Sequence, residues 1–444
     1  MKPLNKWKTK RQMQTNNSIE FESVEIIEEF NNRLLREHVQ YCYEKSPYYR
    51  RKFEECGVKP EHIRTKEDLR LLPLTSKEDL EHDTEDFLCV PEADIVDMCQ
   101  TSGTTGKPVI LSQTASDIER VGYNEKISFS AAGMTENDRV MITCALGRCF
   151  MAGLAYFEGV RQIGATAVRT GSGNLGILAH AVLLYHPSII VCVPSQALLM
   201  AEKIMESGTD PTSLGVRMLI CIGEPVRTVS LEYSHLGERL RNKWNCDIIG
   251  TYASTEIATS FTDCSHGRGG HFHPELITVE VVDENGREAP PGQPGEVIAT
   301  PLQVTGMPLL RYCTGDIATY FTEPCPCGRK TYRLSPIIGR KQQKMKIRGT
   351  TVFPNAIFSV LQGIQEIKNY YIEVHGEYDL SENVRVVVGI DDSACLAADS
   401  IAEKIRGYIR IKPEVVVDSS ANVAAKTLQE GRRKATTFFD YRNK

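Results

Sequence analysis

A short run of hydroxyl, glycine and lysine residues is the strongest local chemical signal in the chain. It reads Thr101-Ser-Gly-Thr-Thr-Gly-Lys-Pro108. Flexible glycine backbone, amide groups and hydroxyls can wrap polyphosphate oxygens, and a lysine supplies a positive charge. The spacing is not that of a Walker A loop, because two residues rather than four separate Gly103 from Gly106-Lys107. The run therefore predicts phosphate binding through Ser102, Gly103, Thr104, Thr105, Gly106 and Lys107, with a simple surface turn as the alternative.

Two motifs with carboxylates follow further along the chain. Tyr252-Ala-Ser-Thr-Glu256 directly follows a predicted strand, and ligands bind at the carboxyl ends of strands in α/β sheets. Glu256 can hold Mg²⁺ there, with the Thr255 hydroxyl beside it for a phosphate oxygen; the alternative is a helix N-cap. Arg311-Tyr-Cys-Thr-Gly-Asp316 places an acid on a tight turn, where it suits two ribose hydroxyls, and Gly339-Arg340 opens a basic run 23 residues later.

The elements that must position these motifs follow from the hydrophobic pattern. Residues from about 23 to 57 have apolar residues at helical spacing and are predicted as helix. Between residues 138 and 252, apolar runs alternate with amphipathic stretches, which predicts a mostly parallel sheet covered by helices. The predicted strands are Val140–Thr143, Ala165–Arg169, Ser188–Val193, Met218–Ile222 and Asp247–Thr251. The predicted helices are Leu178–Tyr185, Leu198–Glu206 and Glu232–Lys243.

The remainder of the chain predicts an antiparallel subdomain and a second domain. Leu276–Val282 and Glu296–Thr300 are predicted strands joined by a turn-rich segment, and Val384–Ile390 is the clearest strand after Gly339. A chain of 444 residues exceeds the size of one hydrophobic core, so two domains are expected. We predict an α/β fold with a large N-terminal domain (1–338), containing a mostly parallel sheet and a β subdomain, and a small, mobile α+β C-terminal domain (339–444). Residues 1–22 are predicted to be a flexible basic tail.

Composition excludes several classes of protein. The formal net charge is −5, and hydrophobic and charged residues make up 41% and 25% of the chain. This charge argues against nucleic-acid binding, and no apolar stretch reaches the roughly 18–20 residues needed to span a bilayer. The N-terminus has no apolar core of a signal peptide, so a cytoplasmic protein without membrane or nucleic-acid partners is expected. Gly171-Ser-Gly-Asn-Leu-Gly176 matches a dinucleotide motif, but residues 187–201 lack the acid that such a fold requires.

Taken in order, these motifs resemble the adenylate-forming (acyl-CoA synthetase) superfamily, and within it the phenylacetate–CoA ligase branch. Ser46-Pro-Tyr-Tyr-Arg-Arg-Lys52 and Leu72-Pro-Leu-Thr-Ser-Lys77 are similar to that branch as well. The resemblance covers nearly all of the chain after about residue 25. It implies ATP-dependent activation of a small, aryl carboxylic acid to acyl-AMP, followed by transfer to coenzyme A. A homodimer is a further possibility that it leaves open.

The resemblance also implies roles for single residues. Ser102 to Lys107 bind the β- and γ-phosphates of ATP, Thr255 contacts the α-phosphate, and Glu256 binds Mg²⁺. The adenine is framed by Gly223, Glu224, Pro225 and Tyr252, and the ribose is bound by Asp316 and Arg340. The family requires a mobile catalytic lysine near the C-terminus. Gly431-Arg-Arg-Lys-Ala435 favours Lys434, with Lys426 as the alternative.

Three cysteines and a histidine predict a structural metal site. Cys264 and His271 form a C-x6-H pair, and Cys325 and Cys327 form a C-x-C turn. Three thiolates and an imidazole are typical of closed, tetrahedral structural zinc, and some members of the resembled branch carry a metal here. His266 and His273 are rival ligands, and thiols without a metal are the alternative.

Three departures from the family pattern bear on function. Ala253 replaces the usual glycine after the motif tyrosine, and Gln342-Gln343 replaces an acid pair near the predicted hinge. Ala145-Leu-Gly-Arg-Cys-Phe150 replaces the tyrosine-rich stretch of aromatic-acid ligases, so Arg148 either pairs with a second substrate carboxylate or points to solvent. Two other functions remain open: a relative that transfers AMP without forming a thioester, and an idle nucleotide- or acyl-binding protein.

Overall fold

The chain divides into two compact units in the computed structural model. The model describes residues 13–16, 18–101, 109–347, 350–377, 380–391, 394, 396–428 and 435–442. The first unit comprises Met1–Glu232, Arg239–Thr314 and Ala318–Pro336, and the second comprises Tyr233–Glu238, Gly315–Ile317 and Ile337–Lys444.

Helices and strands alternate between residues 115 and 254. In chain order the helices are α1 (Val24–Lys45), α2 (Pro47–Cys56), α3 (Lys77–His82), α4 (Ala115–Ala132), α5 (Met151–Ile163), α6 (Leu175–Tyr185), α7 (Pro194–Glu206), α8 (His235–Trp244), α9 (Pro354–Gln362), α10 (Ala398–Ile409) and α11 (Ser420–Thr427). The strands are β1 (Ile95–Gln100), β2 (Ile110–Thr114), β3 (Arg139–Ile142), β4 (Thr166–Arg169), β5 (Ile189–Cys192), β6 (Met218–Ile222), β7 (Asp247–Ser254), β8 (Thr259–Thr262), β9 (Gly270–His271), β10 (Ile277–Val282), β11 (Gly295–Pro301), β12 (Tyr312–Ala318), β13 (Tyr320–Phe321), β14 (Arg333–Leu334), β15 (Gly339–Arg340), β16 (Met345–Ile347), β17 (Thr350–Val352), β18 (Ile367–Glu377), β19 (Leu380–Ile390), β20 (Glu414–Ser419) and β21 (Phe438–Asp440). Across the described ranges, no helix combines the length and apolar character needed to cross a membrane.

A six-stranded sheet organises the first unit. Its strand order is β4-β3-β5-β6-β7-β8, and all neighbours pair in parallel except β7 and β8. Every residue of β5 and β6 is buried, as expected for strands covered on both faces. The predicted parallel sheet is confirmed, and each predicted strand is found within three residues of its expected bounds.

The helical prediction for residues from about 23 to 57 is confirmed, and the structure divides this segment into two helices, α1 and α2. Ser46 lies between them with extended backbone, and its hydroxyl accepts a hydrogen bond from the Tyr49 amide. Pro47 occupies the first position of α2, where its missing amide proton costs nothing. The serine cap and the proline therefore start a new helix although the apolar spacing continues.

Antiparallel pairing dominates the β subdomain, and the second unit is α+β. Strands β10 and β11 pair antiparallel, as the sequence predicted, and β9, β13 and β14 form a small separate sheet. In the second unit the strand order is β20-β19-β18-β21, with α9, α10 and α11 beside it. Its core is made by buried aliphatic side chains such as Ile357, Ile372, Val386 and Ile405.

Helix α4 carries two buried charged side chains with different surroundings. The Arg120 guanidinium is fully buried and donates to the Leu302 and Ala258 carbonyls and to Thr259 Oγ1. Glu125 is also buried, and in the described part of the chain its Oε2 has no hydrogen-bond partner. Burial raises the pKa of Glu125 to about 8, only partly offset by a hydrogen bond to Ser260.

This raised pKa predicts that stability falls with increasing pH. The folded protein holds the Glu125 proton more tightly than the unfolded chain, so the stabilisation is complete below pH 4.5 and is lost as the pH rises through about 8. Each unit by which the folded-state pKa exceeds the unfolded-state pKa corresponds to about 1.4 kcal/mol of unfolding free energy. Glu125→Gln, which keeps the shape and cannot ionise, should raise the melting temperature at pH 8.5 by several degrees and leave it nearly unchanged at pH 5. An equal change in melting temperature at pH 5 and pH 8.5 would contradict the ionisation of Glu125 as the cause.

Candidate nucleotide and metal sites

The predicted phosphate loop joins two strands of an antiparallel hairpin. Strands β1 and β2 pair through Gln100 and Ile110, and the loop connects their ends. At its base the Thr101 amide donates to the Val109 carbonyl, and the Val109 amide donates to Thr101 Oγ1 at 3.1 Å. Ser102, Gly103, Thr104, Thr105, Gly106 and Lys107 lie outside the described residues. The hairpin thus fixes where the loop starts and ends.

The proposed adenine segment follows β6 at the carboxyl end of the parallel sheet. Gly223 has a φ of 77°, a left-handed conformation that glycine adopts without steric cost. The Glu224 carboxylate accepts hydrogen bonds from the Ser195 amide and hydroxyl, both at 2.9 Å. A carboxylate at this first turn of α7 also neutralises the positive end of the helix dipole. Ser195, which the sequence analysis did not single out, therefore fixes the orientation of Glu224 beside Pro225.

Tyr252 and Glu256 lie on either side of a strand end. Strand β7 extends to Ser254, so Tyr252 lies within the strand and not after it. Its ring stacks on Phe261 of β8, with centroids 5.9 Å apart and an interplanar angle of 18°. Thr255 and Glu256 follow in a turn that leads to β8. The alternative reading of a helix N-cap is wrong, because a strand follows.

The two proposed ribose-binding residues are brought together in the second unit. Asp316 of β12 is directly opposite Arg340 of β15, and Arg340 Nε lies 3.4 Å from Asp316 Oδ1. The Asp316 carboxylate is nearly buried, whereas the arginine side chain is half exposed. A carboxylate can accept hydrogen bonds from ribose hydroxyls with the oxygen lone pairs that the arginine does not use.

Arg311, at the start of the same motif, has a positional role that the sequence did not reveal. It is buried and donates two parallel hydrogen bonds to the Glu280 carboxylate, at 2.8 and 3.0 Å, and a third to the Leu72 carbonyl. Paired contacts of this kind restrict geometry strongly. They fix the chain at the start of β12. Nothing local in the sequence identifies Glu280 as the partner, since it lies 31 residues away.

Of the two candidate lysines, one is described. Lys426 Nζ lies 3.3 Å from the Tyr441 hydroxyl, 3.9 Å from Glu373 Oε1 and 5.0 Å from the centre of the Phe439 ring. The Lys426 ammonium group is therefore already in contact with a carboxylate, a hydroxyl and an aromatic ring of the second unit. Lys434 lies outside the described residues, in the segment between α11 and β21.

The glutamine pair of the predicted hinge forms part of a short 3-10 turn, Lys341–Gln343. Arg442 has a fully buried side chain and donates to the carbonyls of Gln342 and Lys344. Asp440 accepts two further hydrogen bonds from the same guanidinium. The C-terminal end of the chain therefore holds the backbone of this turn.

Arg148 and Cys149 occupy the left-handed region at φ values of 59° and 53°. Two consecutive non-glycine residues there are strained, and such strain concentrates at functional sites. The Arg148 side chain is exposed, which favours the reading in which it points to solvent. Its pairing with a substrate carboxylate stays a prediction.

Cys264, His271, Cys325 and Cys327 meet in the first unit. One ligand atom from each lies within 4.8 Å of all the others. The pairing of β9 with β14 places His271 opposite Arg333, near the turn that carries the two later cysteines. In that turn the Gly328 amide donates to the Cys325 carbonyl at 2.9 Å, with Gly328 at a φ of 89°.

Two of the distances between these ligand atoms are close to those around a tetrahedral zinc ion. Zinc lies about 2.3 Å from sulfur and about 2.0–2.1 Å from nitrogen, so tetrahedral geometry requires S–S and S–N distances of about 3.8 and about 3.6 Å. The Cys264 and Cys325 sulfurs are 3.6 Å apart, and Cys327 Sγ lies 3.5 Å from His271 Nε2. Burial raises the pKa of Cys264 to about 12, whereas at Cys327 burial is outweighed by hydrogen bonds from His271 and Arg329, which lower the pKa to about 5. A dication would allow all three thiols to ionise.

Hydrogen bonds distinguish the rival histidines. Both ring nitrogens of His273 are engaged, Nδ1 with Glu20 and Nε2 with Ser128. His266 is exposed and does not belong to the cluster of ligand atoms. His271 has Nε2 at the cluster and Nδ1 3.2 Å from Thr331 Oγ1, an arrangement that orients a ligating imidazole.

Comparison with known proteins identifies the family. The family model of AMP-binding enzymes matches residues 42–306, more than half of the chain. This chain belongs to the AMP-binding enzyme family. Phenylacetate-coenzyme A ligase of Thermus thermophilus is 32% identical over 355 residues, 78% of each chain. The ligase of the same name from Pseudomonas putida is 28% identical over 443 residues, 96% of each chain. The resemblance to the phenylacetate–CoA ligase branch is confirmed.

Solved structures show the same fold as this AMP-binding enzyme. A 2-hydroxyisobutyryl-CoA ligase in complex with R3-HIB-AMP, in its postadenylation state, has a TM-score of 0.85 at 22% identity, covering 96% of this chain and 92% of that one. The same ligase with 2-HIB-AMP and CoA, in its thioesterification state, has a TM-score of 0.70 at 23% identity, with the same coverage. The predicted α/β fold is confirmed over nearly the whole chain.

Proposed function

We propose that this AMP-binding enzyme is an acid–thiol ligase for a small aryl carboxylic acid. In the first step an oxygen of the acid attacks the α-phosphorus of ATP, giving acyl-AMP and pyrophosphate. In the second step the sulfur of coenzyme A attacks the acyl carbon, and AMP leaves. The observation that carries this proposal is the match to phenylacetate-coenzyme A ligase across 96% of both chains.

The family resemblance gives each proposed site residue a role in this chemistry. At the carboxyl end of the parallel sheet, Gly223, Glu224, Pro225 and Tyr252 would contact adenine, with Thr255 on the α-phosphate. Glu256 would bind Mg²⁺, a hard cation that prefers carboxylate and phosphate oxygens. The ribose hydroxyls would donate to the carboxylate of Asp316, which lies beside Arg340. Ser102 to Lys107 would bind the β- and γ-phosphates.

Structural zinc is proposed at Cys264, His271, Cys325 and Cys327. The ligand spacings support it, together with the orientation of His271 by Thr331. Four protein ligands leave no open position for a substrate, so zinc there would stabilise the fold and would not take part in catalysis. Cytoplasmic location and a homodimer stay predictions.

The proposed function is tested by product release from ATP and Mg²⁺ with a panel of aryl, aliphatic and dicarboxylic acids. Pyrophosphate release that depends on one acid, together with AMP release that requires coenzyme A, would support the ligase. Pyrophosphate release with AMP transferred to another acceptor would favour the relative that forms no thioester. ATP binding without product from any acid would favour an idle binding protein. Comparing dicarboxylic acids with wild type and Arg148→Met tests that arginine, and unchanged preference removes its role.

The ribose contact makes a separate prediction. Asp316→Asn should raise the KM for ATP by roughly 10–100-fold, because a hydrogen bond to a charged acceptor is worth about 1.5–3 kcal/mol. The melting temperature should change little, since the amide oxygen of the asparagine can still accept from Arg340 of β15. Asp391→Asn, an exposed position in the same unit, is the matched control and should leave KM within twofold. An unchanged KM in Asp316→Asn would contradict the assignment.

A further inference from the structure

A short turn near the N-terminus packs on the loop that carries two of the proposed zinc ligands. The turn is the 3-10 helix Ile19–Phe21, called here the N-terminal turn, and the loop comprises residues 325–330. Ile19 and Glu20 are both buried. The Lys330 amide donates to the Glu20 carbonyl at 2.8 Å. Burial and a backbone hydrogen bond therefore join two segments that lie far apart in the chain.

Arg329 links the N-terminal turn to one of the proposed ligands. Its Nε donates to Glu20 Oε2, and the same guanidinium donates a hydrogen bond to the sulfur of Cys327. The guanidinium also lies over the Phe21 ring, 4.9 Å from the ring centre, and this ring packs beside Gly328. A free arginine side chain has many rotamers. Contacts on three sides fix this one where it meets the sulfur.

Glu20 is the carboxylate that holds this arginine. One of its oxygens accepts from Arg329 and the other accepts from His273 Nδ1. Burial opposes ionisation of Glu20, but the contacts with His273 and Arg329 outweigh it and lower its pKa to about 2. The other buried carboxyl nearby, Glu275, is engaged by the Tyr123 hydroxyl at 2.9 Å. The pair of Glu20 with Arg329 is therefore a buried ion pair that reaches the metal cluster without supplying a ligand.

This ion pair and a metal ion would stabilise each other. Groups that hydrogen-bond to metal ligands orient them, and losing one such partner costs roughly 10–100-fold in metal affinity. Arg329 can orient Cys327 in this way while Glu20 restrains it. In return, zinc would tie residues 325–330 to Cys264 and His271 and so fix the surface on which the N-terminal turn packs. Because coupling between two binding events is reciprocal, each strengthens the other by the same factor.

We propose that Glu20 and Arg329 are positioning residues for zinc, and that zinc binding in return stabilises the packing of the N-terminal turn. Both roles rest on the structural zinc proposed above and are independent of the ligase reaction. The N-terminal turn thereby belongs to the metal site although it contributes no ligand.

The positioning role is tested by zinc affinity, measured by chelator competition on the full chain at a temperature at which each variant is folded. Glu20→Gln keeps the shape and removes the charge, so it should weaken zinc binding by roughly 10–100-fold. Arg329→Met should have a similar effect, and Arg329→Lys, which keeps the charge, should retain part of the affinity.

Glu280→Gln is the matched control for these variants, because it breaks another buried carboxylate–arginine pair of the first unit, the one with Arg311. It should lower the melting temperature and leave the zinc affinity within twofold. A loss of affinity caused only by lower stability would appear in Glu280→Gln as well, and that result would overturn the positioning role. Unchanged zinc affinity in both Glu20→Gln and Arg329→Met would also overturn it.

The return effect is tested by amide hydrogen exchange of the wild-type protein with and without zinc, which needs no variant. In the N-terminal turn the Phe21 amide donates to the Ser18 carbonyl, and the Glu22 amide donates to the Ile19 carbonyl. Removing zinc with a chelator should speed exchange in residues 18–24 by about tenfold or more, and adding zinc back should restore protection. Exchange in β5 should change little.

The outcomes separate the coupling from the metal site and from the ligase. Exchange in residues 18–24 that does not respond to zinc, while residues 264–271 and 325–330 do respond, overturns the coupling. Protein that contains no zinc and takes up none overturns the metal site and the coupling together. Acid-dependent pyrophosphate release by such protein would still support the proposed reaction.

Discussion

Lys434→Ala should lower acid-dependent pyrophosphate release by on the order of 10²–10³-fold, the loss typical when one preorganised donor to developing charge is removed. In the proposed first step, negative charge builds on the α-phosphate as the acid attacks and pyrophosphate leaves. A positioned ammonium stabilises that charge. The KM for ATP should change much less, because the lysine acts mainly in the transition state. Initial rates at saturating acid and ATP measure the effect.

The matched control is the other candidate lysine. Lys426 is engaged by Glu373, Tyr441 and Phe439, so Lys426→Ala should alter pyrophosphate release by no more than about twofold. A large loss in Lys426→Ala, with little in Lys434→Ala, would reverse the assignment.

Measuring the two steps of the reaction separately distinguishes a catalytic role of Lys434 from a structural one. If Lys434 serves acyl-AMP formation alone, Lys434→Ala should still convert chemically prepared acyl-AMP and coenzyme A to the thioester at close to the wild-type rate. Loss of both steps would instead indicate that the substitution damages the second unit as a whole, and a lowered melting temperature would accompany it.

The sequence predicted the parallel sheet well because its central strands, β5 and β6, are buried on both faces. Met218–Ile222 is a run of five buried apolar residues, and the observed β6 has the predicted bounds. The run of apolar residues alone is enough to predict this strand. A strand covered on both faces has no solvent-facing positions, so polar residues do not alternate with the apolar ones. For residues 23 to 57 the apolar spacing predicted helix correctly, but it did not show the break between two helices that Ser46 and Pro47 impose.

Contacts between residues far apart in the chain could not be predicted from the sequence, for a different reason. Arg311 hydrogen-bonds to Glu280, and Glu224 to Ser195, only because the fold brings together the segments that carry them. The strand carrying Tyr252 continues into the motif as far as Ser254, because β8 supplies a pairing partner that a local pattern does not show. For the metal cluster, residue types gave the candidate ligands, but the choice of His271 over His273 depends on the partners Glu20 and Ser128.

The metal cluster makes the prediction with the largest effect on stability. The purified protein should contain about one zinc per chain, and Cys327→Ser should lose most of it and lower the melting temperature by on the order of 10 °C. Structural zinc contributes directly to folding free energy because the ligands are brought together only in the native state. Without the ion, three thiols and an imidazole would remain together in a largely buried space. Metal analysis and thermal unfolding measure the two effects.

Cys89→Ser is the matched control, since Cys89 is half-buried like Cys327 and stands outside the cluster. It should retain zinc and unfold within a few degrees of wild type. Thr331→Val adds a graded test, because loss of the hydrogen bond to His271 Nδ1 should weaken zinc binding by roughly 10–100-fold in chelator competition without removing a ligand. If Cys327→Ser and Cys89→Ser behave alike and neither protein contains zinc, the cluster is a set of buried thiols. In that case the close approach of the three sulfurs would need another cause.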